Sequence, residues 1–208
     1  MYIKIITNCF CAEKLEQVEH QKYLGMLIDE FACWKPHVYQ LKKKLRCFSY
    51  NFYFIKEFLP QDTLEIIYSA LVESNIMYGI TLYGQASTYL LNELQSIQNV
   101  IKRHITAKQQ NNDTKRKILN IEQLFKLRTV LNNYKDITGW LRVYNIHNTR
   151  AVTDGKFIVA KSNNKYGERR KEVFVRKIFN DIPFVVNEMK SKQYIKNKTT
   201  EWLLKEVK

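Results

Sequence analysis

From Val38 onward, apolar residues return at Leu41, Leu45, Phe48, Phe52, Ile55 and Phe58. Steps of three and four place these side chains on one face of a helix, so the chain is committed early to helix-on-helix packing. Pro36 sits where such a helix can start, because a first-turn proline gives up no helical hydrogen bond. Lys42, Lys43, Lys44 and Arg46 fall mostly off the apolar face. A row of this kind either is simply solvated or meets phosphates, which asks for cations and little base chemistry.

Further helices follow the same logic. Leu59-Pro60 closes the first and opens a second, whose Asp62 and Glu65 suit the positive end of a helix dipole. Leu64, Ile67, Leu71, Ile76, Met77 and Ile80 make a nearly continuous apolar run that reads as the buried core helix, ended by Tyr78-Gly79 and Tyr83-Gly84. Ser87 is an N-cap for a third helix with Leu90, Leu91, Leu94, Ile97, Val100, Ile101 and Ile105 as its apolar positions, finishing in Lys102, Arg103 and His104. Lys108 to Lys117 is polar and charged, as an exposed loop and soft boundary should be. A fourth helical run is expected over Ile121 to Ile146, with Leu124, Leu127, Val130 or Leu131, Tyr134, Ile137 or Thr138 and Leu141 inward and Gly139 as a weak point. Ala151 to Arg170 is basic without clear periodicity, and a last helix runs from about Val186 to Leu204.

Charge narrows the partner. The 208 residues carry 34 Lys and Arg against 20 Asp and Glu, a net charge of +14 that points to a polyanion, nucleic acid being the commonest, with an anionic membrane surface or plain solubility as the bland readings. The distribution is uneven: residues 31–60 have six cations and one acid, whereas 61–100 have no cation and four acids. At 45% hydrophobic residues the chain is not a disordered polyelectrolyte. It shows neither a leader peptide nor an apolar run long enough to cross a bilayer, and its four cysteines (Cys9, Cys11, Cys33, Cys47) crowd the first quarter, a poor layout for a disulfide-stapled secreted protein. An intracellular protein, cytoplasmic or nuclear, is expected.

Before the first helix, Tyr2 to Cys9 is rich in β-branched and aromatic residues, and Leu15 to Asp29 offers a second extended run, with Phe10 to Lys14 as the loop between them. Gly25 interrupts the second run, as a bulge or a close backbone approach would require.

The stretch from His20 to His37, HQKYLGMLIDEFACWKPH, resembles the segment where palm ends and thumb begins in reverse transcriptases of non-LTR (LINE-type) retrotransposons, while YGITLYG at residues 78–84 and FVRKIFNDIP at 174–183 resemble later elements of that family, the second near its C-terminus. Tyr166-Gly167 and His147 to Arg150 match smaller elements of the same family in the same order. The resemblance implies that Tyr23, Leu24 and Gly25 hold the primer strand and that Trp34-x-x-His37 opens the thumb. It also implies that Lys42, Lys43, Lys44, Arg46, Lys102 and Arg103 follow the phosphates of an RNA–DNA hybrid or duplex primer/template.

Chemistry itself is missing from the sequence. Phosphoryl transfer to a primer end needs paired carboxylates that hold two metal ions about 3.5–4 Å apart, and the Y/F-A-D-D turn that supplies them in the family has no counterpart here, since no Asp-Asp pair occurs. The resemblance therefore places the catalytic palm and fingers, with their magnesium, outside this chain, and no cofactor is expected within it. Cys9-x-Cys11 with Cys33-x-x-x-His37 has zinc-ligand residue types, but the first spacing is tighter than usual, and free cysteines are the expected state. Neither a Gly-rich phosphate loop nor a G-x-S-x-G elbow is present. The expected protein is mainly α: an N-terminal β-hairpin (1–33), a thumb-like helical bundle (34–107), and a basic, partly irregular C-terminal region ending in helices (118–208). It is read as a non-catalytic polymerase fragment that positions nucleic acid, with a stand-alone nucleic-acid-binding module or an inert or protein-binding remnant as the other readings.

Overall fold

A computed structural model of the chain describes residues 18–106, 118–140, 156–182 and 191–205. The chain divides into two compact units, Met1–Lys115 and Arg116–Lys208. It is mainly helical and opens with an antiparallel hairpin, as expected. The expected strand Tyr2 to Cys9, the loop at Phe10 to Lys14 and the linker at Lys108 to Lys117 lie outside the described residues, as do Leu141, His147 to Arg150 and Pro183 to Val186.

The hairpin is tighter than the sequence suggested. Leu15 to Asp29 is not one extended run: β1 (His20–Tyr23) pairs with β2 (Met26–Asp29), in register from His20 opposite Asp29 to Tyr23 opposite Met26. Leu24 and Gly25 form the two-residue loop, with φ of 45° and 80°. Positive φ at both positions is what a two-residue turn needs to match the twist of its strands. Gly25 thus serves the turn, not a bulge. β1 is exposed throughout, whereas Met26 of β2 is buried.

Helix α1 (Lys35–Ile55) follows, with Pro36 in its first turn and Val38, Leu41, Leu45 and Phe52 buried as the spacing predicted. Phe58 departs from that face: it lies beyond the helix end and is 84% exposed. Next comes one long helical run made of α2 (Gln61–Ile67), a π-helical segment (Tyr68–Glu73) and α3 (Ser74–Met77), then a short α4 (Ile80–Tyr83). The buried residues of the long run are Leu64, Tyr68, Val72 and Ile76, four apart each time. In a regular α-helix such a stripe would drift by about 40° per step. The π segment winds more slowly, inserting the extra residue that keeps the stripe on one side. It also corrects the expectation of a wholly buried helix, because Tyr68 and Val72 turn inward while Leu71 and Ile66 are exposed.

Helix α5 (Thr88–Thr106) buries Leu94, Ile101 and Ile105 together with Gln98, whose side-chain amide donates to the buried Tyr68 hydroxyl at 2.8 Å. Ser87 caps it: its carbonyl accepts from Leu91 N–H, and its hydroxyl lies 3.5 Å from Leu90 N.

In the second unit, α6 (Ile121–Asn133) begins with a capping box between Asn120 and Gln123, then gives way to a 3-10 turn over Asp136–Gly139. The expected single helix to Ile146 therefore stops at Asn133. Among the described residues three further helices follow, α7 (Lys165–Glu168), α8 (Lys171–Asp181) and α9 (Lys192–Lys205). Gln123 also donates to the Leu203 carbonyl at 2.5 Å, tying α6 to α9. Asn180 clasps residue 157 from both sides, accepting from Phe157 N–H at 2.8 Å and donating to its carbonyl at 3.0 Å. Trp140 meets Phe157 and Phe179 edge-on beside this clasp. The Phe179-Asn180 pair singled out in the sequence thus sits at the centre of this unit's irregular half.

Candidate nucleic-acid interface

The hairpin turn is held at a fixed place on the first unit. Tyr78 donates from its hydroxyl to the Leu24 carbonyl, and its ring lies against Gly25. Gly79 takes φ +66°, and a Cβ there would fall 2.5 Å from Met26 Sδ. So Tyr78-Gly79 and Tyr23-Leu24-Gly25, far apart in sequence, are one contact in space. The Leu27 N–H points at His37 Nδ1 from 3.5 Å, and the His37 ring lies 5.2 Å from that of Tyr83. Burial pushes the His37 pKa down, which keeps the imidazole neutral and its Nδ1 able to accept. His37, one of the ligand types considered for zinc, is thus turned toward the hairpin backbone. Among the described residues no three metal-ligating side chains gather, and Cys33 and Cys47 are exposed free thiols.

Strain concentrates at the same junction. Leu24, Ala32 and Trp34 are the non-glycine residues with positive φ among the described residues. Such conformations cost about 1–3 kcal/mol and persist only where surroundings dictate them. Here the Asp29 carboxylate accepts from Cys33 N–H at 2.8 Å and from Trp34 N–H at 2.7 Å, fixing the approach to α1. The result is a turn that presents Leu24 to solvent, 73% exposed, with Tyr23 exposed beside it.

The cations of the first unit separate into two kinds. Lys42 is paired with Glu93 of α5 at 2.5 Å, and this contact, followed by the Tyr89 hydroxyl and then nearby Arg46, holds the Glu93 carboxyl below its usual range. Lys44 donates to the Asn75 side-chain oxygen at 2.5 Å. These two ammonium groups brace α1 against its neighbours. Lys43, Arg46 and Arg103 are exposed and form no ion pair among the described residues. Lys102 is half-buried, and desolvation pushes its pKa down to about 8. The structure therefore does not gather all six predicted cations into one row.

Periodicity of the apolar face drew no attention to a second pattern on α1. Tyr39, Lys43, Arg46, Tyr50 and Tyr53 also recur at steps of four and three, on the exposed flank. Tyr50 and Phe54 rings meet edge-on at 4.6 Å, and Tyr53 meets Phe54 at 5.3 Å. Tyr53 also meets His104 of α5 at 5.8 Å, while Lys56 Nζ lies 4.8 Å from the Tyr53 ring centre. From Lys42–Glu93 to Tyr53–His104 both helices advance by eleven residues, so α1 and α5 run parallel and end together at this cluster. Burial, then Lys56 and Arg103, lowers the His104 pKa, keeping that ring neutral among cations. The signal was available in the sequence as aromatic residues interleaved with Lys and Arg.

No family model and no solved structure matches the chain. A probable RNA-directed DNA polymerase from transposon X-element of Drosophila melanogaster is 29% identical over 89 residues, covering 41% of this chain. The chain spans about a tenth of that protein's length. The likeness is thus to a short stretch of a transposon RNA-directed DNA polymerase. No helix among the described residues is long and apolar enough to cross a membrane.

Proposed function

We propose that this region positions primer/template nucleic acid for a reverse transcriptase whose carboxylate-bearing palm lies elsewhere. The observation that carries the reading is the strained, exposed Leu24 turn, pinned by Tyr78 and Gly79 beside the helix that bears Lys43 and Arg46. Strained backbone held by its surroundings clusters at sites that grip a ligand. The likeness to a transposon polymerase supplies the ligand class. In this mechanism the hairpin turn meets the primer strand near its end, and Lys43, Arg46 and Arg103 contact phosphates. Such contacts set register and affinity and carry little sequence preference. No bond is made or broken by this chain's own residues.

Photocrosslinking from a benzoylphenylalanine placed at Leu24 tests the reading, with an RNA–DNA hybrid as target. Crosslinks are expected on the primer strand near its 3′ end. Crosslinks spread evenly over both strands, or none while the hybrid is bound, would contradict the assignment of the turn.

A further inference from the structure

We propose that the cluster where α1 and α5 end together is a stacking platform for unpaired bases of a single-stranded nucleic acid; this rests on the nucleic-acid reading above and adds a second, separate subsite to it. Tyr50 is 65%, Tyr53 54% and Phe54 48% exposed, and the Phe54 ring meets both tyrosines edge-on. A contiguous exposed aromatic patch marks an interaction surface. Its surroundings select the occupant: Arg46 and Lys43 lie one and two turns before Tyr50, and Arg103 and Lys56 border its far end. The acid nearest to these cations in sequence is Glu57, whose carboxylate lies 3.9 Å from Lys56 Nζ. A cationic rim around exposed rings fits a strand that carries phosphates and π-faces together.

Pairing state follows from the same geometry. Bases within a duplex already stack on their neighbours and offer no face to a flat protein ring, whereas unpaired bases can be splayed onto aromatic side chains. The platform therefore takes a strand running out of the hybrid, while the Leu24 turn addresses the paired part. Because Tyr53 contributes to a ring pair across α1 and α5, the platform is also rigid: a base that settles on Tyr50 or Phe54 meets rings already ordered.

The test compares a blunt RNA–DNA hybrid with the same hybrid carrying an unpaired oligouridine tail, using the full chain. The tail is expected to tighten binding by about tenfold for each base that stacks. Tyr50→Ala with Tyr53→Ala should remove that advantage and leave blunt-hybrid affinity unchanged, and Tyr50→Phe with Tyr53→Phe should retain it. If the double alanine variant loses helical circular dichroism, Tyr50→Ala alone, outside the core, reads the same loss in part. A tail that gives no advantage to the wild type, or an advantage that survives both alanines, overturns the platform while leaving the hairpin reading intact. Self-association of the wild type that Tyr50→Ala relieves, with no effect of the tail, would make the patch a protein contact and equally overturn it. A wild-type chain that binds neither probe sinks the underlying nucleic-acid reading instead.

Discussion

The first unit carries 13 Lys and Arg against 11 acids, and the second 21 against 9, so net charges of +2 and +12 sit on two halves of similar length. In the first, Lys42 and Lys44 join α1 to separate helices, and among the described residues the exposed cations other than Lys22 of β1 lie on α1 or at the end of α5. In the second, the ion pairs Lys126–Glu122, Lys171–Asp136, Lys177–Glu168 and Lys205–Glu201 each involve at least one exposed partner, where such pairs contribute little stability. Neutral amides supply tertiary ties there, Gln123 to Leu203 and Asn180 to Phe157, beside the Arg176 guanidinium that donates to the Ile158 carbonyl at 2.8 Å. A nearly neutral unit that arranges its charge can place a strand. A uniformly basic one attracts polyanions without placing them, through counterion release that fades with salt.

The largest effects that sharpen this contrast are on stability. Gln98→Leu should strand the buried Tyr68 hydroxyl and destabilise the first unit by about 1–3 kcal/mol, and adding Tyr68→Phe should recover much of the loss. Asn180→Ala should cost the second unit a similar amount by removing its two hydrogen bonds to the Phe157 backbone. Urea unfolding followed by circular dichroism checks both. Gly79→Ala comes next, at about 1–2 kcal/mol for its left-handed backbone, with Met26 forced aside.

Binding effects rank below these. Lys43→Ala with Arg46→Ala should lower the slope of log affinity against log salt by about two and weaken all sequences alike. Lys42→Ala should change that slope less, because its charge is already held by Glu93; an equal change would mean that the ion pair opens on binding. The smallest effect is on pH. Because the folded His37 pKa is depressed, the junction keeps its full stability above the unfolded value of about 6.5 and loses it as pH falls toward the lowered folded value. The protection factor of the Leu27 amide, its exchange rate relative to the intrinsic rate at the same pH, should fall as pH drops below about 6.5, and His37→Gln should flatten the response.

Much of this fold was legible in sequence because helical periodicity is a local signal. Val38, Leu41, Leu45 and Phe52 announced α1, and Ser87 announced α5. The π segment was not legible: four-residue spacing reads as ordinary amphipathicity until burial shows that Tyr68 and Val72, not Leu71, face inward. Nor could spacing reveal that Gly25 belongs to a turn, since the positive φ of Leu24 depends on a hydroxyl 54 residues away. At the candidate site, residue type identified cations but not their partners, so Lys42 and Lys43 looked alike although one is paired across the helices and the other is not. The aromatic flank was legible and passed over, because attention to the apolar face treats everything opposite it as solvent-facing.

The most direct measurement of the central claim is the affinity of the full chain for an RNA–DNA hybrid across a salt series, for the wild type and for Lys43→Ala/Arg46→Ala. Steep salt-dependent binding is expected of the wild type, with a slope smaller by about two for the variant. Identical slopes would assign the binding to the basic second unit and remove α1 from the interface, and absence of binding at low salt would contradict the nucleic-acid role altogether.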